Sequence, residues 1–328
     1  MSTTRRALVL RALALLVLTV ATMASLFTAY TGVHSQAAPV RERTAPAILD
    51  VTAAQNALLQ SFDAVRDSAT GELVSTGGGY RVQIAVANQS LARAAGAAVG
   101  GESGLRALET VTGLIVSYSG FLEQADRHRT DATLREGYLW YAEGTLSRDL
   151  DGILDRLDSL QDQQYDVLDG QVSFDRGAQL AWGATLVSGA ALLLVLIETQ
   201  VLLRRRFRRR YNLGLLGATA TLLIALGAVA YATAETQDAL DAAGHSLRED
   251  LLSPWGPVTG DADTQRRGPA EDVSNSVQDT AREVDDAMSG TDEWEGLAGL
   301  VPVLGLLLAG QMARGLWPRF DEYRFRAR

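Results

Sequence analysis

AQLAWGATLVSGAALLLVLIETQVLLRRRFRRRYNLGLLGATATLLIALGAVAYATA, residues 178–234, decides how the rest of the chain is read. At its centre stands RRRFRRR (204–210), six arginines around one phenylalanine. Taken alone, that motif suits a nucleic-acid patch, a lipid-binding patch or a targeting signal. Its flanks choose between these. Ala178–Leu203 and Tyr211–Ala234 are each apolar over about the 20 residues needed to cross hydrocarbon. The motif is therefore expected to be a short hairpin loop at the lipid surface, too close to a bilayer to hold nucleic acid. Arginines at such a place fix topology and draw anionic lipid heads, at roughly 1 kcal/mol each.

Two more runs have the same character. Ala12–Tyr30 follows Arg5, Arg6 and Arg11. Its 19 uncharged residues exceed a usual signal core, and helical periodicity resumes soon after Pro46. An uncleaved anchor is favoured over a signal peptide cut near SQAA (35–38). The fourth run spans about Gly296–Leu316, Gly-rich, with Pro302 near its start, where a helix has no internal hydrogen bond to lose. The stretches 1–11, 204–210 and 314–328 carry 3, 6 and 5 arginines. The stretches 31–177 and 235–295 carry 12 and 4, against 20 and 16 acids, for nets of −8 and −12. By the positive-inside rule the short basic stretches are cytoplasmic and the two acidic segments lie outside. Both termini are then cytoplasmic, in a multi-pass plasma-membrane protein.

The expected fold class is an all-α integral membrane protein: four transmembrane helices, an extracytoplasmic four-helix bundle and a second, smaller extracytoplasmic helical pair. The division is cytoplasmic 1–11, spans 12–30 and 178–203, bundle 31–177, arginine loop 204–210, spans 211–234 and 296–316, pair 235–295 and cytoplasmic tail 317–328. In the large segment Ile48, Val51, Gln55, Leu58, Phe62 and Val65 repeat at helical steps of three and four. So do Leu105, Leu108, Val111, Ile115, Tyr118 and Leu122. A last series runs Leu134, Tyr138, Tyr141, Thr145, Ile153, Leu157, Leu160 and Gln164, on one long helix broken at Gly152 or Gly170. A weaker, alanine-rich helix covers Ile84–Val99. Ser103 and Asp131 are read as helix caps. Leu240, Leu247 and Leu251, then Val273, Val277 and Val284, mark the two arms of the pair.

Composition excludes much chemistry. The 328 residues contain no cysteine, and all 30 basic residues are arginine, which reflects codon usage in a GC-rich genome. His34, His128 and His245 show no metal-ligand spacing, GDAD (260–263) is too short for a calcium loop, and TGGG (76–79) lacks the lysine of a phosphate loop. Neither a catalytic residue nor a metal or cofactor ligand is expected, and the protein is read as not an enzyme. Glu198, the one acid inside a membrane run, is a candidate coupling residue, or else pairs with an arginine of the loop. Candidate cytoplasmic contacts, for lipid or a partner, are Arg204, Arg205, Arg206, Arg208, Arg209 and Arg210 together with Trp317, Arg319, Phe320, Tyr323 and Arg324. Candidate outer contacts are Arg127, Arg129 and the off-stripe Trp140, whereas Tyr138 and Tyr141 are expected in the core. Small residues four apart (Ala181, Thr185, Gly189; Gly214, Ala218; Gly305, Ala309) suit close packing within the chain, with a homodimer contact as the alternative.

An inner N-terminus, an outer bundle and a return helix resemble the four-helix-bundle sensor modules of bacterial chemoreceptors and kinases. A closer resemblance rests on GLIVSYSGFLEQADRHRTDATLREGYLWYAEGTLSRDLDGILDRLDSL (113–160), the arginine loop and GLWPRFDEYR (315–324). These are similar to actinobacterial four-span membrane proteins associated with an extracytoplasmic glutamine/aspartate-binding lipoprotein and protein kinase G. The resemblance implies a relay of amino-acid availability from a solute-binding protein outside to a cytoplasmic kinase inside, and assigns no binding residue. The rival classes are a transporter or channel component, which needs Glu198, and a structural envelope protein.

Overall fold

The computed structural model describes residues 3–67, 79–148, 151–173, 176–207, 213–252, 270–289 and 299–324, and every element among them is helical. Helix α1 (Thr3–Pro39) passes through a π-helical turn (Val40–Thr44) into α2 (Ala45–Asp67). Then come α3 (Gly79–Ala97), α4 (Gly101–Arg127), α5 (Ala132–Ser147) and α6 (Ile153–Val172). The chain continues with α7 (Arg176–Phe207), α8 (Leu213–Leu252), α9 (Ala270–Ser289) and α10 (Leu300–Arg324). The expected all-α class holds. Two compact units form, one of Met1–Ala37, Phe174–Ala239 and Gly290–Arg328, the other of Ala38–Ser173 with Leu240–Ser289.

The first unit is built inside out relative to a water-soluble domain. Leu15, Leu26, Tyr30, Leu192, Leu222 and Leu308 meet in its core, while Leu16, Val17, Val187, Leu194, Ile224 and Leu306 are exposed. Threonines take buried places instead. Thr19, Thr185 and Thr199 are at most 3% exposed, and each hydroxyl donates to the carbonyl four residues back, at 2.7, 2.8 and 2.6 Å. An apolar outer surface is costly in water and free of cost in hydrocarbon. Three stretches, Val9–Asp67, Ile153–Leu202 and Leu213–Arg248, hold helix long and apolar enough to cross a membrane, and Leu300–Gly315 is a shorter apolar helix. Pro302 sits in the first turn of α10, as its missing N–H requires.

Small residues set the spacing in this unit. A Cβ on Gly214 would lie 2.9 Å from the carbonyl oxygen of Gln311 and the backbone of Gly315. One on Gly305 would lie 3.0 Å from Met23 Cγ, and one on Gly189 3.4 Å from Leu226. The small-residue pattern thus serves packing within the chain. Polar ties reinforce it. Gln200 Nε2 donates to Leu215 O and Thr219 Oγ1, and Gln311 pairs with Thr221.

In the second unit the periodic residues are buried as expected along α2, α4 and α6, except Leu105, which is exposed because Gly104 takes the inner place at the start of α4. Val51, Leu58, Phe62, Leu108, Ile115, Tyr118, Leu157 and Leu160 share one core. The long fourth helix is divided into α5, which ends at Ser147, and α6, which starts at Ile153. There a Cβ on Gly152 would press within 2.7 Å of the Arg148 backbone, so only glycine fits the bend. Gly170 stays inside α6. The helical pair, expected as a separate smaller body, belongs to this same unit. Tyr165 Oη donates to Leu247 O (2.9 Å), Arg248 pairs with Asp169, and Arg41 pairs with Asp285 (3.3 Å).

Three local expectations need correction. Asp131 caps α5, accepting from Leu134 N at 3.2 Å, but Ser103 is not a cap. Helix α4 starts at Gly101 after Gly100, whose φ of +88° suits glycine, and Ser103 Oγ turns back to Gly100 O. The stripe on α5 is rotated, so that Arg135, Ala142 and Leu146 face inward and Tyr141 is 53% exposed. Arg135 takes the inner place because its guanidinium donates to Val65 O (2.6 Å) and Arg66 O (3.1 Å), carbonyls of the last turn of α2. Finally, Arg204–Phe207 continue α7 rather than open a loop, since arginine is a good helix former and is favoured at a helix C-terminus.

Candidate functional site

The second unit holds one irregularity that shapes a site. Prolines at 39 and 46 each lack the N–H that an α-helix would use, and the ring of each crowds the carbonyl four residues back. Between them the backbone widens into the π-turn, whose C-cap Ala45 donates to Val40 O, five residues away. Such turns are rare and recur at functional sites. The wider turn presents Arg43 and Thr44 to a cleft of about 530 Å³. The turn between α3 and α4 (Ala97–Gly101, with Ser103) forms a second wall, and Gln163, Asp166, Val167 and Gln171 of α6 a third. Ala98 carries a φ of +52°, the one left-handed non-glycine residue among those described. Gly104 lets the first turn of α4 approach α6, since a Cβ there would lie 3.2 Å from Leu160 Cδ1.

From the cleft a polar seam runs between α2 and α6. Thr44 Oγ1 donates to Gln171 Oε1 (2.8 Å), Gln161 Nε2 to Thr52 Oγ1 (2.9 Å), and Gln55 Nε2 to Asp158 Oδ1 (2.7 Å). The partners descend in number on α6 as they rise on α2, which fixes an antiparallel register. Gln164, also on α6, is fully buried, and neither amide atom has a hydrogen-bond partner among the described residues. A buried amide without partners costs on the order of 1–3 kcal/mol, so the register is held by specific bonds yet incompletely satisfied. Two buried tyrosines brace the same unit. Tyr118 Oη meets Ser61 Oγ (2.9 Å) and donates to Leu58 O (3.1 Å), and burial pushes its hydroxyl pKa up. Burial also raises that of Tyr165, to about 12, against a smaller opposing pull from Arg248.

The residues singled out from the sequence are scattered. Arg127 pairs with Glu123 (2.6 Å) and Arg129 with Asp126, so both charges at that turn are already matched. Trp140 is 65% exposed and lies edge-on to Tyr141, which stacks on Phe121. Glu198 pairs with Arg11 of α1 at 2.7 Å, joining α1 to α7. Arg204 is exposed at the end of α7, and Arg205 and Arg206 follow it in that helix. Arg208, Arg209 and Arg210 lie outside the described residues. Trp317, Arg319, Phe320, Tyr323 and Arg324 fall in the last turns of α10, and their side chains lie outside the described ones. Among the described residues no three acidic or histidine side chains gather as a metal would need.

Sequence reasoning missed the cleft and the seam. The prolines seven apart in PVRERTAP (39–46) were the available signal for the π-turn. Thr44, Thr52, Gln161 and Gln171 carry no charge and no motif, so nothing marked them in advance.

The family model described as actinobacterial sensor domain matches residues 36–173, a segment that begins within two residues of the structural unit's first boundary and contains the whole cleft. No curated protein and no solved structure matches the chain. Residues 36–173 are thus similar to a bacterial sensor domain, joined in this chain to several apolar helices.

Proposed function

We propose that this protein is a transmembrane sensor that relays an extracytoplasmic signal to a cytoplasmic partner. The observation that carries the reading is the continuity of helix from α1 through the π-turn into α2. The segment similar to a sensor domain begins inside that helix, and its cleft and seam are built on it. Helices that can exchange one register of bonds for another are a known switching element. The seam from Thr44 to Gln55, with Gln164 unsatisfied beside it, would serve as such an element.

Four membrane spans, with both termini cytoplasmic and the sensor-like segment outside, give the arrangement favoured by the arginine distribution. The outer partner is a ligand or ligand-loaded solute-binding protein, with amino acids as the signal class suggested by the resemblance. The inner partner is a Ser/Thr kinase, met by Arg204–Arg210 and the basic, aromatic end of α10, which also touch anionic lipid. Closely packed small residues are used within the chain, so a homodimer would form through other surfaces. Glu198, on which a transporter reading would depend, is paired with Arg11.

Crosslinking and co-purification from native membranes tests the relay. Recovery of both a solute-binding protein and a kinase is expected. Recovery of neither, with Glu198-dependent solute uptake into liposomes, overturns it. Reporter fusions at residues 207 and 260 should read cytoplasmic and external.

A further inference from the structure

Charges in the second unit divide into two sets. Arg41 is matched by Asp285, Arg93 by Asp50 and Arg248 by Asp169. Arg43 and Asp166 both line the cleft, come from different elements, and make no ion pair or hydrogen bond among the described residues. A cation and an anion that share a cleft and stay unbonded to each other leave two complementary places for a guest. At about 530 Å³ the space falls within the range of sites for small molecules. Its other lining is mixed. Val99, Val167 and Pro39 offer apolar contact, and Gln171 accepts from Thr44 through Oε1, leaving its amide N–H groups to donate.

We propose that this cleft binds a small zwitterion directly, its oxyanion held by Arg43 and the Gln171 amide and its ammonium by Asp166. A simple anion would meet Asp166 and a simple cation would meet Arg43, so each half alone is disfavoured by the opposite charge. A ligand carrying both charges turns both encounters into attraction. The same site touches the seam. A guest that accepts from the Gln171 amide N–H holds the same side chain whose Oε1 closes the first link with Thr44, and so bears on the register of α6 against the π-turn and α2. The proposal names the ligand class of the sensing function above and rests on that reading for its consequence, though not for the binding itself.

The test uses the full chain in lipid nanodiscs, titrated calorimetrically with glycine, β-alanine, γ-aminobutyrate and glycine betaine, and with acetate and methylammonium as half-ligands. At least one zwitterion is expected to bind with a Kd below about 1 mM, and either half-ligand at least about tenfold more weakly. Arg43→Ala and Asp166→Ala should each weaken binding about tenfold or more. The double exchange Arg43→Asp with Asp166→Arg should bind better than either single reversal, a rescue that a merely unfolded variant cannot show. No binding of any zwitterion at about 10 mM, acetate binding as tightly as the zwitterions, or indifference to both alanine variants overturns the proposal. Crosslinking on the same preparation separates the two claims. Partners recovered without zwitterion binding leave the relay and remove the cleft, and zwitterion binding without partners does the reverse.

Discussion

Val187 and Val116 are the same residue on the outside of an α-helix, 73% and 69% exposed, yet they belong to opposite worlds. Val187 stands among Leu186, Leu194 and Ile197 on a face of α7 with no charge until Glu198. Val116 stands on α4 among Glu109, Thr110, Thr112 and Ser117, in a unit whose surface is laced with ion pairs. Exposure alone therefore does not say whether a valine is out of place. What surrounds it over the next two turns does. In the first unit apolar residues fill both the core and the outer surface, and several threonines are buried between them. In the second the order is the one water imposes.

The sharpest way to break this contrast is one substitution made twice. Val187→Asp puts a carboxylate where hydrocarbon is expected, at about 2.5–3.5 kcal/mol on an insertion scale, and should strongly reduce the folded, membrane-extracted yield. Val116→Asp should change stability by no more than about 0.5 kcal/mol. Fluorescence-detected gel filtration of the two variants gives the comparison. Equal tolerance at both sites would remove the membrane assignment of α7.

A second contrast sets two arginines of one unit side by side. Arg135→Ala removes a nearly buried cation that donates to two carbonyls ending α2, and should cost about 1.5–3 kcal/mol. Arg127→Ala, which breaks an exposed pair one helical turn long, should cost about 0.3–0.5 kcal/mol. Thermal melts of the purified variants would show the difference, and a melt of Arg135→Ala matching that of Arg127→Ala would mean the carbonyls are satisfied without it.

These two arginines also show where the sequence could be read and where it could not. The runs of leucine and valine announce helices that avoid water, and Val51, Leu58, Ile115 and Leu157 announce buried stripes, because burial of large apolar groups is the strongest regular signal a sequence carries. Arg135 breaks the rule. Its position is decided by two carbonyls some seventy residues earlier in the chain, which no local pattern reports. Glu198 was conspicuous as an acid in an apolar run, but its partner Arg11 lies 187 residues away and was read only as a topology signal. The cleft was illegible for the same reason. Arg43 and Asp166 are ordinary charges among many until the fold leaves them unpaired in one place.

Glycines allow a third contrast of intermediate size. Gly214→Ala would set a methyl group 2.9 Å from the backbone of α10, which cannot yield as a flexible side chain can, so the helices must part at about 1–3 kcal/mol. Gly113→Ala meets nothing within 4 Å on α4 and should stabilise by about 0.5–1 kcal/mol through helix propensity. Opposite shifts in Tm are the expected result, and a Gly214→Ala protein as stable as wild type would show that α8 and α10 do not rely on that approach.

The smallest effect concerns pH and belongs to the second unit alone. Tyr165 is buried with its hydroxyl on Leu247 O, which raises its pKa from the usual 10 to about 12. Between those values the folded state keeps a proton that the unfolded state has lost, so stability must fall as pH rises through that window and stay flat below it. Tyr118, raised by burial as well, adds to the same slope. At pH 11 the Tyr165 share is at most about 1.4 kcal/mol, a tenfold difference between the folded and unfolded protonation equilibria. Tyr165→Phe should lower stability slightly at neutral pH, by loss of one hydrogen bond, and flatten the decline between pH 10 and 12. Chemical melts at pH 8 and pH 11, wild type against variant, measure both. A variant with the same alkaline slope as wild type would place the titration on Tyr118 alone, and would loosen the case that α8 is fastened to α6 through this hydroxyl.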